Sequence, residues 1–421
     1  MIIKPLQVFE QTYLPIDHQG FTRRHWVTLG NYNDQHGGRY FSLTPSGVRF
    51  NQYVGVIQVD NLTIEILPKI GKTEKDENKS KWQKILIDML RECRWMQVYA
   101  NEKAALRFKP NSILEAYLEL FILECEKILR EGLVKKYRTL GENCLALKGK
   151  LVFARQIQMN LIHQERFYTN HTIFDRENIF NRILLKALKI IPNLSQSPFL
   201  KDRVGNLLLA FPELEDVSVT NNTFERLIYD RKTTRYKEAL EIAAMLLLNY
   251  RPDISQGRNH VLAILFDMND LWEEYIYRQL SKNKPQNWSI RPQNKKHFWY
   301  LEGSNSYKTI RPDILIQKQQ DGVTTSIILD TKWKLPQNNI PDDADLKQMF
   351  VYNEYWESNH AVLFYPKAEY DDAPLFNNGC YKQKSHHCGI MKMSVLNKNN
   401  TTLDKTLGKR LHKFLELELL K

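Results

Sequence analysis

Arg311-Pro312-Asp313-Ile314-Leu315-Ile316 is followed, after a polar turn at Gln317 to Gly322, by Ser326-Ile327-Ile328-Leu329-Asp330-Thr331-Lys332-Trp333-Lys334. The apolar run Ile327 to Leu329 is rich in β-branched residues and comes after a glycine-containing turn. It predicts a buried strand ending at Asp330. Asp313 opens the preceding strand, so a hairpin between the two brings both carboxylates to one end of a sheet. Period-two alternation puts Asp330 and Lys332 on one face. Two acids and a lysine at such a point suit a hard divalent cation and a water beside a phosphate. Asp313 and Asp330 supply oxygen ligands, with the Thr331 backbone carbonyl as a third. Lys332 orients or deprotonates the water, or balances developing charge; the pattern does not choose between these. Glu273, on the preceding predicted helix, adds a carboxylate from a neighbouring element.

The bulk composition is compatible with such chemistry. The chain has 421 residues, room for two or three domains, and its 43% hydrophobic and 26% charged content is that of an ordinary globular protein. The net charge of +12 favours a polyanionic partner such as nucleic acid. Five scattered cysteines give no disulfide framework, which predicts a reducing, cytoplasmic setting. No apolar stretch reaches the length of a membrane span, and the first residues lack a signal-peptide pattern, so no membrane association is expected.

Three regions follow from pattern. Residues 1–80 read as β-rich, with Tyr53 to Val59 and Leu62 to Ile66 as strands joined at Asp60-Asn61. Residues 81–255 read as helical, with apolar stripes through Leu114, Tyr117, Leu118, Phe121 and Cys125 and through Phe180, Ile183, Leu184, Ala187 and Leu188. Residues 256–421 read as α/β. A helix is predicted from Val261 to about Leu280, then short strands, a helix over Asp345 to Glu357, a buried strand at Ala361 to Tyr365, a last strand near Ile390 to Leu396 and an amphipathic helix through Leu403, Leu407, Leu411 and Phe414. The fold class expected is multidomain α+β.

Several weaker patterns compete. Gly71-Lys72-Thr73 lacks the earlier glycine of a phosphate-binding loop, position 66 being Ile, and no other Walker-type loop occurs, so any nucleotide hydrolysis must belong to a partner. Arg251-Pro252-Asp253-Ile254 copies the tetrapeptide at 311–314 but precedes no strand ending in Asp-x-Lys; it reads as a helix-terminating turn. Asp345-Leu346-Lys347 repeats Asp-x-Lys within a predicted helix and is set aside. Cys380 and Cys388 with His386-His387 fit no compact zinc spacing. Lys135-Lys136-Tyr137-Arg138 and Lys148-Gly149-Lys150 suit either a phosphate backbone or a solvated face.

The 311–334 block resembles the PD-(D/E)xK nuclease motif as it stands in McrC proteins, the nuclease subunits of McrBC restriction systems. The resemblance extends to Tyr53-Val54-Gly55-Val56-Ile57 with Ile66-Leu67-Pro68-Lys69-Ile70, to Leu147-Lys148-Gly149-Lys150-Leu151 with Asn178 to Leu188, to Met268-Asn269-Asp270-Leu271-Trp272-Glu273, and to Gln348-Met349 with Tyr352. Thr331 and Trp333 stand where that family usually has a small residue and a tyrosine. The resemblance implies a restriction-endonuclease-like domain over 256–421 with Asp313, Asp330 and Lys332 catalytic and Glu273, Gln348 and Tyr352 accessory. It implies Mg2+ as cofactor, held by Asp313, Asp330 and Thr331. It further implies a McrB-like AAA+ GTPase ring as partner, docked by the N-terminal part and carrying GTP, and methylated or otherwise modified double-stranded DNA as substrate. Two alternatives stay open at this point: a stand-alone end-processing nuclease, and an inactive subunit that only stimulates the GTPase.

Overall fold

The computed structural model describes residues 5–35, 37–70, 78–96, 112–252, 260–282, 284–303, 306–336 and 340–420. It is a mixed α/β chain in two compact units. One comprises residues 108–264 with the first four residues, and the other joins residues 5–107 to 265–421. The strand His260–Asp267 carries the chain from one to the other. Boundaries drawn from composition at 80/81 and 255/256 do not coincide with this division. The β-rich N-terminal segment shares a unit with the C-terminal region, because partners distant in sequence bury one another's apolar faces. The strand Tyr53–Val59 is buried along its whole length. It pairs antiparallel with Leu62–Leu67, which pairs parallel with Leu6–Phe9. The helix Arg23–Gln35 also lies in this β-rich segment. Gly71 to Thr73 and Asp253-Ile254 fall outside the described residues.

The unit around residues 108–264 contains the two predicted amphipathic helices. Ile113–Glu131 starts at Ser112, whose side chain accepts from the Glu115 N–H, and Ile179–Leu194 starts at Asn178, which accepts from Asn181 N–H. The wholly helical reading of this region is corrected by a three-stranded antiparallel sheet. Lys136–Cys144 and Lys150–Leu151 flank Phe167–Asp175. These strands are half solvated, and the first runs through the polar Gly141-Glu142-Asn143, so their sequence lacks the apolar alternation that marks a buried strand. The basic run at 135–138 lies on the first of them. Lys136 and Arg138 are paired with Asp230 and Asp175, at 3.5 and 2.9 Å, which uses up charge that a phosphate backbone would need.

The other unit is built on a six-stranded sheet in the order Trp288–Pro292, Ile314–Gln320, Val323–Thr331, His360–Lys367, His387–Ser394, Leu375–Cys380. Its two central pairings, Val323–Thr331 with His360–Lys367 and His360–Lys367 with His387–Ser394, are parallel, and the outer ones antiparallel. One face carries Leu315, Ile328, Ala361 and Leu363 against Met349, Tyr352 and Trp356 of the helix Asp343–Trp356. On the other side Trp272, from the helix Met268–Ser281, stacks on Phe364 and meets Trp333 edge-on, each at 5.4 Å. The helix expected to start at Val261 begins at Met268. Residues 260–267 form a strand instead, since His-Val-Leu-Ala-Ile-Leu-Phe is apolar under either periodicity and only sheet pairing separates the two. Asp267 caps the helix by accepting from Asn269 N–H. Among the described residues no helix is long and apolar enough to cross a membrane.

Candidate active site

The hairpin forms in the expected register. Ile314 faces Leu329 and Leu315 faces Ile328, which sets Asp313 beside the Asp330–Thr331 end of the next strand. Asp313 Oδ2 accepts from both the Thr331 N–H, at 2.7 Å, and the Thr331 hydroxyl, at 2.9 Å. No described residue donates to its Oδ1. Asp330 is 1% exposed and lies on the same face as Ile328, under the helix Asp343–Trp356. Lys332 reaches back along the strand, and its Nζ lies 2.8 Å from Asp330 Oδ2. The Lys332 N–H is fixed by Phe364 O at 2.9 Å. Asp330, Thr331 and Lys332 thus follow one another where the parallel pairing with His360–Lys367 runs out, and the sheet's end supplies both the burial and the opening.

A second carboxylate meets Lys332: Asp345 Oδ1, at 3.3 Å. Asp345 belongs to the second Asp-x-Lys, at 345–347. It is helical, and the helix brings its first turn to the lysine; a spacing of 13 residues carries no sequence signal for that. Burial alone would lower the Lys332 pKa; the carboxylates of Asp330 and Asp345 outweigh it and hold the ammonium above its usual range. The acids go the other way. Burial, then Asp313, raises Asp330 to about 7 against the counter-pull of Lys332. Burial raises Asp313 too, despite the two Thr331 donors.

Glu273 joins this group electrostatically, its carboxyl lifted to about 7 first by burial and then by Asp313. Gln293 ties the two together. Its side-chain N–H donates to Glu273 Oε1 at 2.8 Å and its backbone N–H to Asp313 O at 2.8 Å. Glu273, Gln293, Arg311, Asp270, Glu274 and Trp95 line a cleft of about 350 Å3. Gln348 and Tyr352 do not reach the carboxylates by hydrogen bond. Gln348 donates to the Tyr352 hydroxyl at 2.7 Å, and that hydroxyl donates to Arg311 O at 2.8 Å. Both therefore position the Arg311-Pro312-Asp313 segment. From the other side of the motif, Trp333 Nε1 donates to the buried Glu10 at 2.7 Å. Glu10, Gln293, Arg311 and Asp345 are the neighbours that sequence reading missed. Only Arg311, inside the quoted block, stood next to a signal.

The donor set fits a hard cation. It consists of oxygen atoms only, from two buried and mutually repelling carboxylates, one with a free lobe, and such a pair is costly to ionise without a positive charge between them. The Cys380–Cys388 group shows no comparable convergence. Cys388 is buried, Cys380 is exposed, and His386 is bonded to Glu354 at 2.9 Å.

Two solved structures share this fold. A chain from the assembly of Thermococcus gammatolerans McrB AAA+ hexamers with bound McrC superposes with a TM-score of 0.73 at 20% identity, covering 98% of this chain and 99% of that one. A chain from the cryo-EM structure of the Thermococcus gammatolerans McrBC complex gives 0.51 at 21% identity, over 66% of this chain and 88% of that one. No curated protein matches. The family model for the McrBC 5-methylcytosine restriction system component matches residues 48–366, about three quarters of the chain and the whole 311–334 block, so this protein belongs to that family.

Proposed function

We infer that this chain is the Mg2+-dependent endonuclease subunit of a modification-dependent restriction system, with residues 256–421 forming its PD-(D/E)xK nuclease. The observation that carries the reading is the meeting of Asp313, Asp330 and Lys332 at one buried sheet end beside an open cleft. Asp313 and Asp330, with the Thr331 carbonyl, would hold the Mg2+. A bound Mg2+ supplies Lewis-acid activation of a water and neutralises charge on a phosphoryl oxygen. Lys332, kept as an ammonium by Asp330 and Asp345, donates to the phosphate or to the attacking water and balances the negative charge that grows at phosphorus. Glu273, whose carboxyl sits near neutrality, exchanges a proton with water in the cleft. Tyr352 and Gln348 hold the Asp313 segment against displacement.

The partner is an AAA+ GTPase ring of the McrB kind, which binds GTP and carries recognition of modified double-stranded DNA. Support comes from the family and from the likeness to a structure in which McrB hexamers hold bound McrC. The test is cleavage of methylated and unmethylated plasmid by the chain with its GTPase, Mg2+ and GTP. Asp330→Ala is expected to lower cleavage by at least about 10³-fold while still co-eluting with the GTPase. Cutting by that variant at the wild-type rate refutes the site.

A further inference from the structure

Between the edge strand Trp288–Pro292 and the strand that follows Asp313, the chain makes an excursion that the sheet does not use. Lys296–Tyr300 and Tyr307–Ile310 pair only with each other, as a two-stranded ribbon. Every residue of Lys296-His297-Phe298-Trp299-Tyr300 is exposed, as are Tyr307, Lys308 and Thr309. Trp299 is 50%, Tyr300 71% and Tyr307 59% exposed. A run of open aromatic side chains is unfavourable in water and marks a surface that something covers.

The ribbon is held firmly at its base. The Tyr355 hydroxyl donates to Phe298 O at 3.2 Å, Trp356 Nε1 donates to Asn294 Oδ1 at 2.9 Å, and Lys296 donates to Tyr355 O while lying 5.0 Å from the Trp356 ring. A free hairpin of this size would be marginal, so these contacts to the helix Asp343–Trp356 stiffen it. A bulge between His297 and Trp299 re-aims the strand just before the tip. Beyond the bulge, Trp299 is opposite Lys308 and Tyr300 opposite Tyr307, which puts an indole with an ammonium on one face. The other face carries two phenols, and His297 lies 4.5 Å from the Tyr307 ring.

Both ends of the ribbon are anchored in the site. Gln293, which enters it, bonds Glu273 and Asp313; Arg311, which leaves it, lines the cleft two residues before Asp313. Residues 291–311 hold five Lys or Arg and one acid, Glu302. Among the described residues neither Lys295 nor Lys308 forms an ion pair.

We propose that this ribbon is the element that seats duplex DNA over the Asp313–Asp330 site, entering the groove next to the phosphate to be cut. The proposal rests on the nuclease reading and adds to it the surface that binds the substrate. A two-stranded ribbon fits the roughly 12 Å major groove of B-DNA. Four residues of strand carry the tip about 13 Å from Ile310, far enough to enter a groove while a flanking phosphate lies at the site. Lysines take the phosphates, and the aromatic rings supply sequence-tolerant contact with bases and sugars.

The test uses the full-length chain, a fluorescein-labelled duplex of about 30 base pairs, and Ca2+ in place of Mg2+ to stop cleavage. The triple variant Trp299→Ala/Tyr300→Ala/Tyr307→Ala is expected to bind at least about tenfold more weakly. Lys308→Ala, a single exposed change, is expected to weaken binding about two- to fivefold and to flatten the slope of log K against log salt by about one. The ribbon is read by DNA affinity and the site by cleavage with Asp330→Ala in the assembled system, so loss of the ribbon and loss of the site are read separately. A triple variant within about twofold of wild type overturns the proposal. So does one that keeps its DNA affinity but no longer assembles with the GTPase or with a second copy of the chain, since the ribbon is then a protein-docking surface.

Discussion

Glu10→Gln tests whether the N-terminal segment is an integral part of the unit that holds the site. Glu10 is 2% exposed, and its Oε1 accepts from Trp333 Nε1 and from the Lys69 N–H at 2.9 Å. Among the described residues its buried Oε2 has no partner. Burial raises its pKa from the usual 4.5 to about 8, more than the two N–H donors pull it down, and Asp267 adds to the rise. A raised carboxyl pKa means that the folded state binds the proton more tightly than the unfolded chain. Stability is therefore undiminished below about pH 4.5, falls as pH rises, and levels off above about pH 8. Between about pH 5.5 and 7.5 the loss from this one group is roughly 2–3 kcal/mol, from the difference of the two titrations at about 1.4 kcal/mol per unit. Gln copies the protonated acid: one oxygen accepts both N–H groups and the second atom stays unpaired in either case. Urea denaturation followed by tryptophan fluorescence should show the variant to be the more stable, by a margin about 2–3 kcal/mol larger near pH 7.5 than near pH 5.5. The difference between the proteins carries the test, because other titrating groups contribute equally to both. A difference that does not grow with pH would mean that Glu10 is solvated, and that the Trp333 contact does not bind the N-terminal segment to the site.

Two further changes probe the site and the other unit. Asp345→Asn leaves Lys332 with Asp330 as its one carboxylate; cleavage in the assembled system should fall roughly five- to thirtyfold, equivalent to about 1–2 kcal/mol in the barrier, with DNA affinity unchanged. An unaltered rate would remove Asp345 from the site. In the unit around residues 108–264, the buried Tyr236 hydroxyl accepts from Val134 N–H at 2.8 Å and donates to Asn181 Oδ1 at 2.9 Å, while Asn181 donates to Val134 O. Tyr236→Phe strands a donor and an acceptor and should cost about 2–4 kcal/mol, read as a lower unfolding midpoint of that unit.

Most elements along 288–414 and the pairing at the site were legible because each rests on local text; the strands Tyr307–Ile310 and Leu375–Cys380, short and largely exposed, were not. Ile327 to Leu329 is β-branched and apolar, a glycine turn precedes it, and the hairpin register follows from a two-residue period, which put Asp313 beside Asp330. The helices at 113–131 and 179–194 were legible through apolar stripes that repeat every three to four residues. The sheet at 136–175 was not, because its strands expose much of both faces and so leave no alternation to read. The start of the helix at Met268 was not, because the six apolar residues Val261 to Phe266 before it satisfy strand and helix alike until a partner strand takes up their N–H and C=O groups. By itself the sequence determined which candidate side chains meet and which strand ends present them. The tertiary structure alone decided what surrounds them. Glu10 reaches Trp333 from 323 residues away, Asp345 comes to Lys332, and the ribbon of Lys296–Tyr300 and Tyr307–Ile310 is flanked by Gln293 and Arg311, which line the cleft. Such contacts depend on chain segments converging in space, and convergence leaves no periodic trace in the order of the residues.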